Sequence, residues 1–226
     1  MILSPGRKYV FVHAPKTGGT ALALALEHRA MKDDIMLGDT PKALKRRRRL
    51  RDVQTRGRLW KHATLADIDG LVPSLDGFFA FTLVRNPWDR AVSLFHYRKM
   101  TDQTGLADTE TGFQTWLWQT LQDQDPAFYD KPRMFMPQHD WIADGDGKLL
   151  VDYMMRFENL HQSFEEVARR LGKDVQLPHL KKSKRRDYRT YYDDSSIDLV
   201  ADFYAVDLEA FGYTFEGVTE ASATNA

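Results

Sequence analysis

The pattern of apolar and polar positions predicts a strand, a loop and a helix that recur along the chain. Lys8–His13 (KYVFVH) is a β-branched and aromatic run, and helically spaced apolar residues follow it after a glycine-containing loop. Phe78–Val84 (FFAFTLV) is apolar throughout except for one threonine, as in a strand buried on both faces, and Pro87 suits the first turn of the next helix. A third apolar segment, Leu149–Phe157, precedes an amphipathic stretch that Gly172 can close as a C-cap. Three such units predict an α/β fold with a parallel sheet flanked by helices.

The remaining segments are predicted to be insertions, a last helix and a tail. Pro41–Arg58 and Gly112–Leu121 have a helical pattern between the main units, and a final helix is predicted around Ser195–Tyr204. The length of 226 residues suits one domain, which we place at residues 1–216. Residues 217–226 are small and polar, so we expect a flexible C-terminal tail.

Composition narrows the class of protein. With 42% hydrophobic residues and 28% charged residues the chain can build a core, and its formal net charge of zero gives no overall field towards nucleic acid, so no nucleic-acid partner is expected. The chain has no cysteine, which excludes disulfides and thiolate metal sites and favours a cytoplasmic protein. No run of 18 apolar residues predicts a membrane span, although residence beside a membrane stays open, as does the oligomeric state.

The first loop, Pro15–Thr20 (PKTGGT), has the composition of an anion cradle. It joins a strand to a helix N-terminus, where free N–H groups and the helix dipole attract negative charge. Lys16 adds a cation, and each charge-assisted hydrogen bond to a phosphate or sulfate is worth about 1.5–3 kcal/mol. The lysine precedes the glycines, unlike the lysine of the nucleotide triphosphate loop. A glycine turn with a capping threonine is the structural alternative.

The second unit offers another anion site. Arg85 follows a predicted strand at the end where open α/β sheets bind ligands, and Ser93 lies about two turns into the next helix. An arginine fork matches phosphate oxygens, and a helical serine is favoured only where its hydroxyl has a partner. Two structural alternatives stay open: Arg85 pairs with Asp89, or the Ser93 hydroxyl bonds its own backbone.

Together, HAPKTGGTAL and LVRNPWDRAVSLF resemble the two nucleotide-binding signatures of the sulfotransferase superfamily, particularly its glycan-type family 2. The resemblance continues through VDYMMRFENL, LPHLKKSKRRDYRTYYDD and the FGY near the end. It implies a three-layer, P-loop-like α/β fold and an O-sulfotransferase that uses 3′-phosphoadenosine 5′-phosphosulfate (PAPS). The residues that it assigns to the donor are Pro15, Lys16, Thr17, Gly18, Gly19, Thr20 and Ala21 for the 5′-phosphosulfate, Arg85 and Ser93 for the 3′-phosphate, and Ser183 and Lys184 in a loop that closes over it.

Sulfuryl transfer to an alcohol needs a base for the hydroxyl proton and a cation for the leaving phosphate oxygen. Lys16 suits the cation, and His62 resembles the histidine that family relatives place against the acceptor. The resemblance also implies an acceptor on a carbohydrate or glycolipid, and we expect direct in-line displacement. No metal is expected, because no strand-end aspartate for Mg²⁺ and no paired-histidine zinc spacing occurs.

The sequence leaves two other function classes open. A nucleotide kinase or ATPase would use the same phosphate-loop physics and would require Mg²⁺ and a triphosphate. A non-catalytic module would bind an anionic polymer through the basic run Lys42–Arg58, whose simplest interpretation is a solvated helix.

Overall fold

The computed structural model describes residues 1–102, 105–172, 177 and 185–219. The chain divides into two compact units. We call described residues 1–84, 138–172 and 177 the sheet unit, and described residues 85–102, 105–137 and 185–219 the helical unit. The strands are β1 (Ile2–Ser4), β2 (Tyr9–Val12), β3 (Ile35–Met36), β4 (Phe79–Val84), β5 (Tyr153–Arg156), β6 (Tyr213–Thr214) and β7 (Gly217–Val218). The helices are α1 (Gly19–His28), α2 (Pro41–Arg46), α3 (Pro87–Asp102), α4 (Glu110–Leu117), α5 (Leu160–Leu171), α6 (Asp194–Phe203) and α7 (Ala205–Phe211).

The sheet unit contains a five-stranded sheet in the order β3-β1-β2-β4-β5. Its centre is parallel: β2 pairs with β4 so that Phe11 lies opposite Phe81, and β4 pairs with β5 so that Phe81 lies opposite Tyr153. β1 is antiparallel to both β2 and β3, so the sheet is mixed at one edge. The predicted α/β class with parallel central strands flanked by helices is confirmed, and the antiparallel edge was not predicted because β1 and β3 are too short for a periodic pattern.

Alternation along the central strands builds the core of this unit. The side chains of Phe11, Phe81, Leu83 and Met155 point to one face, where they pack against α1 and α5. α1 contributes residues such as Leu22 and Leu26, and α5 contributes Leu160, Phe164 and Val167. Both helices therefore begin where a parallel strand has just ended, which places the residues after β2 and β5 at the carboxyl edge of the sheet.

The helical unit is built around α3. Its start follows from the sequence Asn-Pro: the Asn86 side-chain oxygen accepts a hydrogen bond from the Trp88 N–H at 3.0 Å, and Pro87 needs no hydrogen-bond acceptor. Val92 and Phe95 on the buried face of α3 join an aromatic core with residues of α4 and α6. At α6, Asp193 and Ser196 form a reciprocal capping box.

Several predicted elements differ from the structure in length. The helix predicted over Pro41–Arg58 stops at Arg46 and continues only as a 3₁₀ turn over Arg47–Leu50, since successive cations repel one another and leave no apolar face to bury. The third strand is restricted to β5, and one 3₁₀ turn precedes α5. α4 is followed by a π-helical turn over Trp118–Gln122, and α7 extends the helical C-terminal region beyond the predicted last helix.

The predicted tail begins with ordered backbone. β7 pairs antiparallel with β6, with Tyr213 opposite Val218, so the first residues of the segment 217–226 belong to a hairpin, and residues 220–226 lie outside the described part. The single domain over residues 1–216 stays a prediction beside the division into two units. No helix among the described residues is long and apolar enough to cross a membrane.

Candidate functional site

The predicted anion loop lies between β2 and α1 in the sheet unit. Lys16 adopts a left-handed backbone conformation with φ of 65°, which is uncommon for a residue with a Cβ, and Gly18 follows with φ of 92°. Thr17 is fully buried, and its hydroxyl donates to the Ala14 carbonyl at 3.0 Å. The loop is thus held by its own contacts, and Thr17 has its backbone N–H rather than its hydroxyl to offer to an anion.

The N-terminus of α1 is open. Gly18 is its N-cap, and no side chain caps the helix, so the first-turn N–H groups lack the partner that a serine or aspartate would supply. Ala21 is buried, whereas the Thr20 side chain is exposed at the first turn. Pro15 is buried and Lys16 is partly exposed beside them. The Ala21 N–H donates to the Gly18 carbonyl at 3.3 Å, and no side chain caps the other N–H groups of the first turn. This combination of uncapped donors, a dipole and a nearby ammonium suits an anion.

Two glycines of the loop have no room for a side chain. A Cβ on Gly18 would lie 2.8 Å from Cδ2 of Phe157. A Cβ on Gly19 would lie 2.4 Å from Cδ2 of His13 and 2.6 Å from its Nε2. The close approach of Gly19 to His13 is therefore a packing requirement, and it joins the loop to the residue that follows β2.

His13 also contacts the predicted base. The His13 and His62 rings meet edge to face with centroids 4.6 Å apart, and the His62 ring lies edge to face with Trp60 at 5.2 Å. His13 is 3% exposed, and its Nδ1 has no hydrogen-bond partner among the described residues. The structure thus brings His62 to the anion loop through one intervening ring.

A backbone contact fixes the tautomer of His62. Its Nδ1 lies 2.6 Å from the His13 carbonyl oxygen. A carbonyl accepts and cannot donate, so Nδ1 carries the proton and Nε2 keeps its lone pair. Burial lowers the pKa of the His62 imidazole to about 3, although the hydrogen bond to His13 acts in the opposite direction. Burial also holds the pKa of His13 well below its ordinary value. At neutral pH His62 is therefore a neutral imidazole with a proton acceptor at Nε2.

The low pKa of His62 predicts that the protein loses stability in mild acid. An unfolded histidine, with a pKa of about 6.5, binds a proton that folded His62 rejects until about pH 3. The unfolded state therefore binds more protons below pH 6.5, and the free energy of unfolding falls as the pH decreases, by about 2 kcal/mol between pH 7 and pH 5 from this residue alone. Urea unfolding at the two pH values measures the difference.

The His62→Gln variant isolates this contribution, because glutamine keeps an amide donor and does not titrate. We expect its loss of stability between pH 7 and pH 5 to be smaller than that of the natural protein by about 2 kcal/mol. The exposed His28 offers a matched control, and His28→Gln should retain the full loss. An equal loss in the natural protein and in His62→Gln would contradict the low pKa.

The second predicted anion site belongs to the helical unit. Arg85 follows β4 directly, is 5% exposed and pairs with Asp89, with its Nη2 2.6 Å from Oδ2 of the carboxylate. Asp89 also pairs with Arg185 through its other oxygen. The ion pair between Arg85 and Asp89, which the sequence left open as a structural alternative, is thus formed. The Asp89 carboxylate binds two arginines. Arg185 was not predicted, because only the folded chain brings it to the first turn of α3.

Ser93 differs from Arg85. It lies on α3 with its side chain half-buried, and its hydroxyl makes no hydrogen bond to any part of the chain that the structure describes. The alternative in which the hydroxyl bonds its own backbone is therefore absent. The predicted loop residues Ser183 and Lys184 lie outside the described residues, although Arg185, the next residue, is tied to Asp89.

Other candidate groups do not form a competing centre. Both ring nitrogens of His139 have oxygen neighbours: Nδ1 lies 3.2 Å from the Asp140 carboxylate, and Nε2 lies 3.1 Å from the Gly147 carbonyl. A groove of about 790 Å³ is lined by Val10, Ala80 and Asp152, which stand at the opposite, amino edge of the parallel strands. Within the described ranges, no group of three or more histidine or carboxylate side chains is placed to hold a metal ion.

Comparisons with known proteins give the identity of the family. An uncharacterized protein of Archaeoglobus fulgidus is 27% identical over 103 residues, which are 45% of this chain and 74% of that protein. A crystal structure of mouse sulfotransferase SULT7A1 complexed with PAP is similar with a TM-score of 0.47 and 13% identity, covering 91% of this chain and 86% of that one. The model of the Sulfotransferase family matches residues 1–214. This match confirms the sulfotransferase predicted from the two motifs, and the chain belongs to the sulfotransferase family.

Proposed function

We propose that the protein transfers the sulfuryl group of PAPS to a hydroxyl of a carbohydrate or glycolipid acceptor by direct in-line displacement. The observation that carries the proposal is the open N-terminus of α1 beside Lys16, with a tautomer-fixed His62 packed against the same loop through His13. The carbohydrate or glycolipid acceptor rests on the resemblance to glycan-type enzymes. Cytoplasmic residence, expected from the lack of cysteine, stays a prediction.

The donor has an anionic group at each end of its adenosine, and the chain offers two anion sites of different construction. We assign the 5′-phosphosulfate to Lys16 and the loop N–H groups, because they combine a cation with donors that no side chain caps. We assign the 3′-phosphate to the Arg85 guanidinium, which is paired with Asp89, and to the Ser93 hydroxyl, which has no hydrogen-bond partner among the described residues. Ser183 and Lys184 remain proposed contacts of the loop that precedes Arg185.

The chemistry follows from these assignments. The acceptor oxygen attacks sulfur, the bond from sulfur to the 5′-phosphate oxygen breaks, and its electron pair stays on that oxygen. Lys16 and the loop N–H groups stabilise the charge that appears there. The acceptor hydroxyl gives its proton to Nε2 of His62, whose Nδ1–H remains bonded to the His13 carbonyl. The His62 imidazolium that forms is stabilised by the increased negative charge of the leaving bisphosphate. This interaction offsets the low pKa that the His62 imidazole has in the protein without ligand.

Calorimetric titration with 3′-phosphoadenosine 5′-phosphate tests the donor site, with 5′-AMP and ATP plus Mg²⁺ as comparison ligands. We expect the bisphosphate to bind at least tenfold more tightly than 5′-AMP, because one charge-assisted contact is worth about 1.5–3 kcal/mol. Ser93→Ala should weaken the binding of the bisphosphate about tenfold and leave the affinity for 5′-AMP unchanged. Binding of 5′-AMP therefore serves as the internal control for folding.

Arg85→Ala should reduce the preference for the 3′-phosphate further than Ser93→Ala, since it removes a charge as well as a hydrogen bond. Tight binding of ATP with Mg²⁺ and no preference for a 3′-phosphate would instead favour a kinase or ATPase. Absence of nucleotide binding together with salt-sensitive binding of an anionic polymer would favour the non-catalytic module.

A further inference from the structure

The basic run has two kinds of side chain. The first part of the run, residues 42–52, contains seven basic residues and one acidic residue, Asp52, in a chain whose formal net charge is zero. Three of the seven bind backbone carbonyls of the sheet unit: Lys42 donates to Glu27, Arg46 to Asp34, and Arg49 to Lys32, at 2.7, 3.1 and 2.8 Å. These contacts hold α2 and the following 3₁₀ turn against the unit in one orientation.

The other four basic residues face solvent. Lys45, Arg47, Arg48 and Arg51 are exposed, and they make no ion pair or hydrogen bond to the described residues. Leu44, 53% exposed, stands among them at the helical spacing of three, four and seven residues from Arg47, Arg48 and Arg51. We call these five residues the basic surface. An exposed apolar side chain thus lies in sequence among four basic residues that have no ion-pair partner in the described part of the chain.

We propose that the basic surface docks the protein on an anionic lipid bilayer. Charge complementarity selects an anionic partner, since four cations lie together without a counter-ion in the described structure. The exposed leucine selects a bilayer over a soluble polyanion, because a leucine side chain gains free energy by entering the acyl region and gains nothing from a sulfated or phosphorylated chain. The anchoring of Lys42, Arg46 and Arg49 keeps the surface formed before it meets the membrane.

Flotation with vesicles tests this surface on the full chain. We expect the protein to bind vesicles of 30% phosphatidylglycerol in phosphatidylcholine at 0.1 M salt and to bind pure phosphatidylcholine weakly, with loss of binding at 0.5 M salt. The combined change K45Q, R47Q, R48Q and R51Q should weaken binding to the anionic vesicles about 100-fold or more, since each basic residue contributes roughly fivefold.

Two further variants serve as controls. The first tests whether the position of the basic residues matters beyond net charge, and the second distinguishes binding to lipid from binding to a soluble polyanion. A control that removes four other basic side chains, K131Q, K148Q, R169Q and R170Q, has the same net charge and should stay within about threefold of the natural protein. Leu44→Ser should weaken vesicle binding about tenfold and leave binding to dextran sulfate unchanged. Affinity for 3′-phosphoadenosine 5′-phosphate, measured on every variant, reports folding independently of the vesicles.

The proposal of membrane docking goes beyond the sulfotransferase assignment. If membrane docking is disproved, the sulfotransferase assignment still stands. Equal vesicle binding by the four-residue variant and its control would overturn it, as would vesicle binding that Leu44→Ser leaves unchanged. Binding of dextran sulfate without binding of anionic vesicles would also overturn it and would assign the surface to a soluble polyanion. In each case, retained nucleotide affinity would leave the donor site intact.

Discussion

Turnover of the His62→Ala enzyme falls by about 10²- to 10⁴-fold, the range that a positioned general base contributes. Alanine removes Nε2, which the hydrogen bond from Nδ1 to the His13 carbonyl leaves as the proton acceptor. The donor loop keeps its lysine and its glycines, so the affinity for 3′-phosphoadenosine 5′-phosphate should stay within about threefold. Release of this nucleotide from PAPS, in the presence of a saccharide acceptor and with water alone, measures turnover.

His139→Ala is the matched control for this prediction. His139 lies in the same unit, and its two ring nitrogens are engaged by Asp140 and Gly147, so its loss should leave turnover within about threefold. His62→Gln tests the geometry, because glutamine can donate to the His13 carbonyl and cannot accept a proton as imidazole does. Undiminished turnover in His62→Ala together with a loss in His139→Ala would move the base to His139.

Gly19→Ala should abolish most of the activity for a reason that lies in packing. The added Cβ would sit 2.4 Å from the buried His13 ring, which must then move, and His13 holds His62 through both its ring and its carbonyl. A displacement of about 1 Å in a catalytic group costs about 100-fold in rate, so kcat/KM should fall by at least that factor. We expect the bisphosphate affinity to fall as well, because Gly19 begins α1 in the anion loop.

Gly145 supplies the control for this substitution. A Cβ at Gly145 would meet nothing within 4 Å, so Gly145→Ala should change neither the rate nor the affinity by more than about twofold. Both proteins should retain the far-ultraviolet circular dichroism of the natural chain. Normal activity in Gly19→Ala would mean that the contact between the loop and His13 has no part in catalysis.

The sequence predicts the centre of the fold well because the signals there are local and strong. β2, β4 and the starts of α1 and α3 coincide with apolar runs that end at glycine or proline. The structure departs from prediction where a signal is short or is set by distant contacts. β1 has three residues and depends on pairing with β2 and β3, and the basic run loses its helix because the repulsion between its cations is not visible in a hydrophobic pattern.

The residues of the candidate site likewise fall into those that the sequence could predict and those that it could not. Lys16, Gly18 and Gly19 could be proposed from the loop itself, since their chemistry depends on neighbours in sequence. The contact between His13 and His62 joins residues that are 49 positions apart, and Asp89 joins Arg85 to Arg185, which is 96 positions beyond Asp89. Such contacts leave no periodic signal. The sequence around Arg185, KSKRR, is basic but does not indicate that Arg185 pairs with Asp89.

The carboxylate of Asp89 has a consequence for which anions Arg85 can accept. Because Arg85 and Arg185 already share a counter-ion, an arriving ligand competes with an internal occupant and not with bulk water. A singly charged anion interacts with Arg85 no more strongly than the Asp89 carboxylate does, so replacing Asp89 with that anion gains little free energy. A phosphate monoester, with a charge of about −1.5 to −2 at pH 7, exceeds the carboxylate. Asp89 thereby sets a charge threshold, and selectivity at this position arises from what the protein must give up in order to bind.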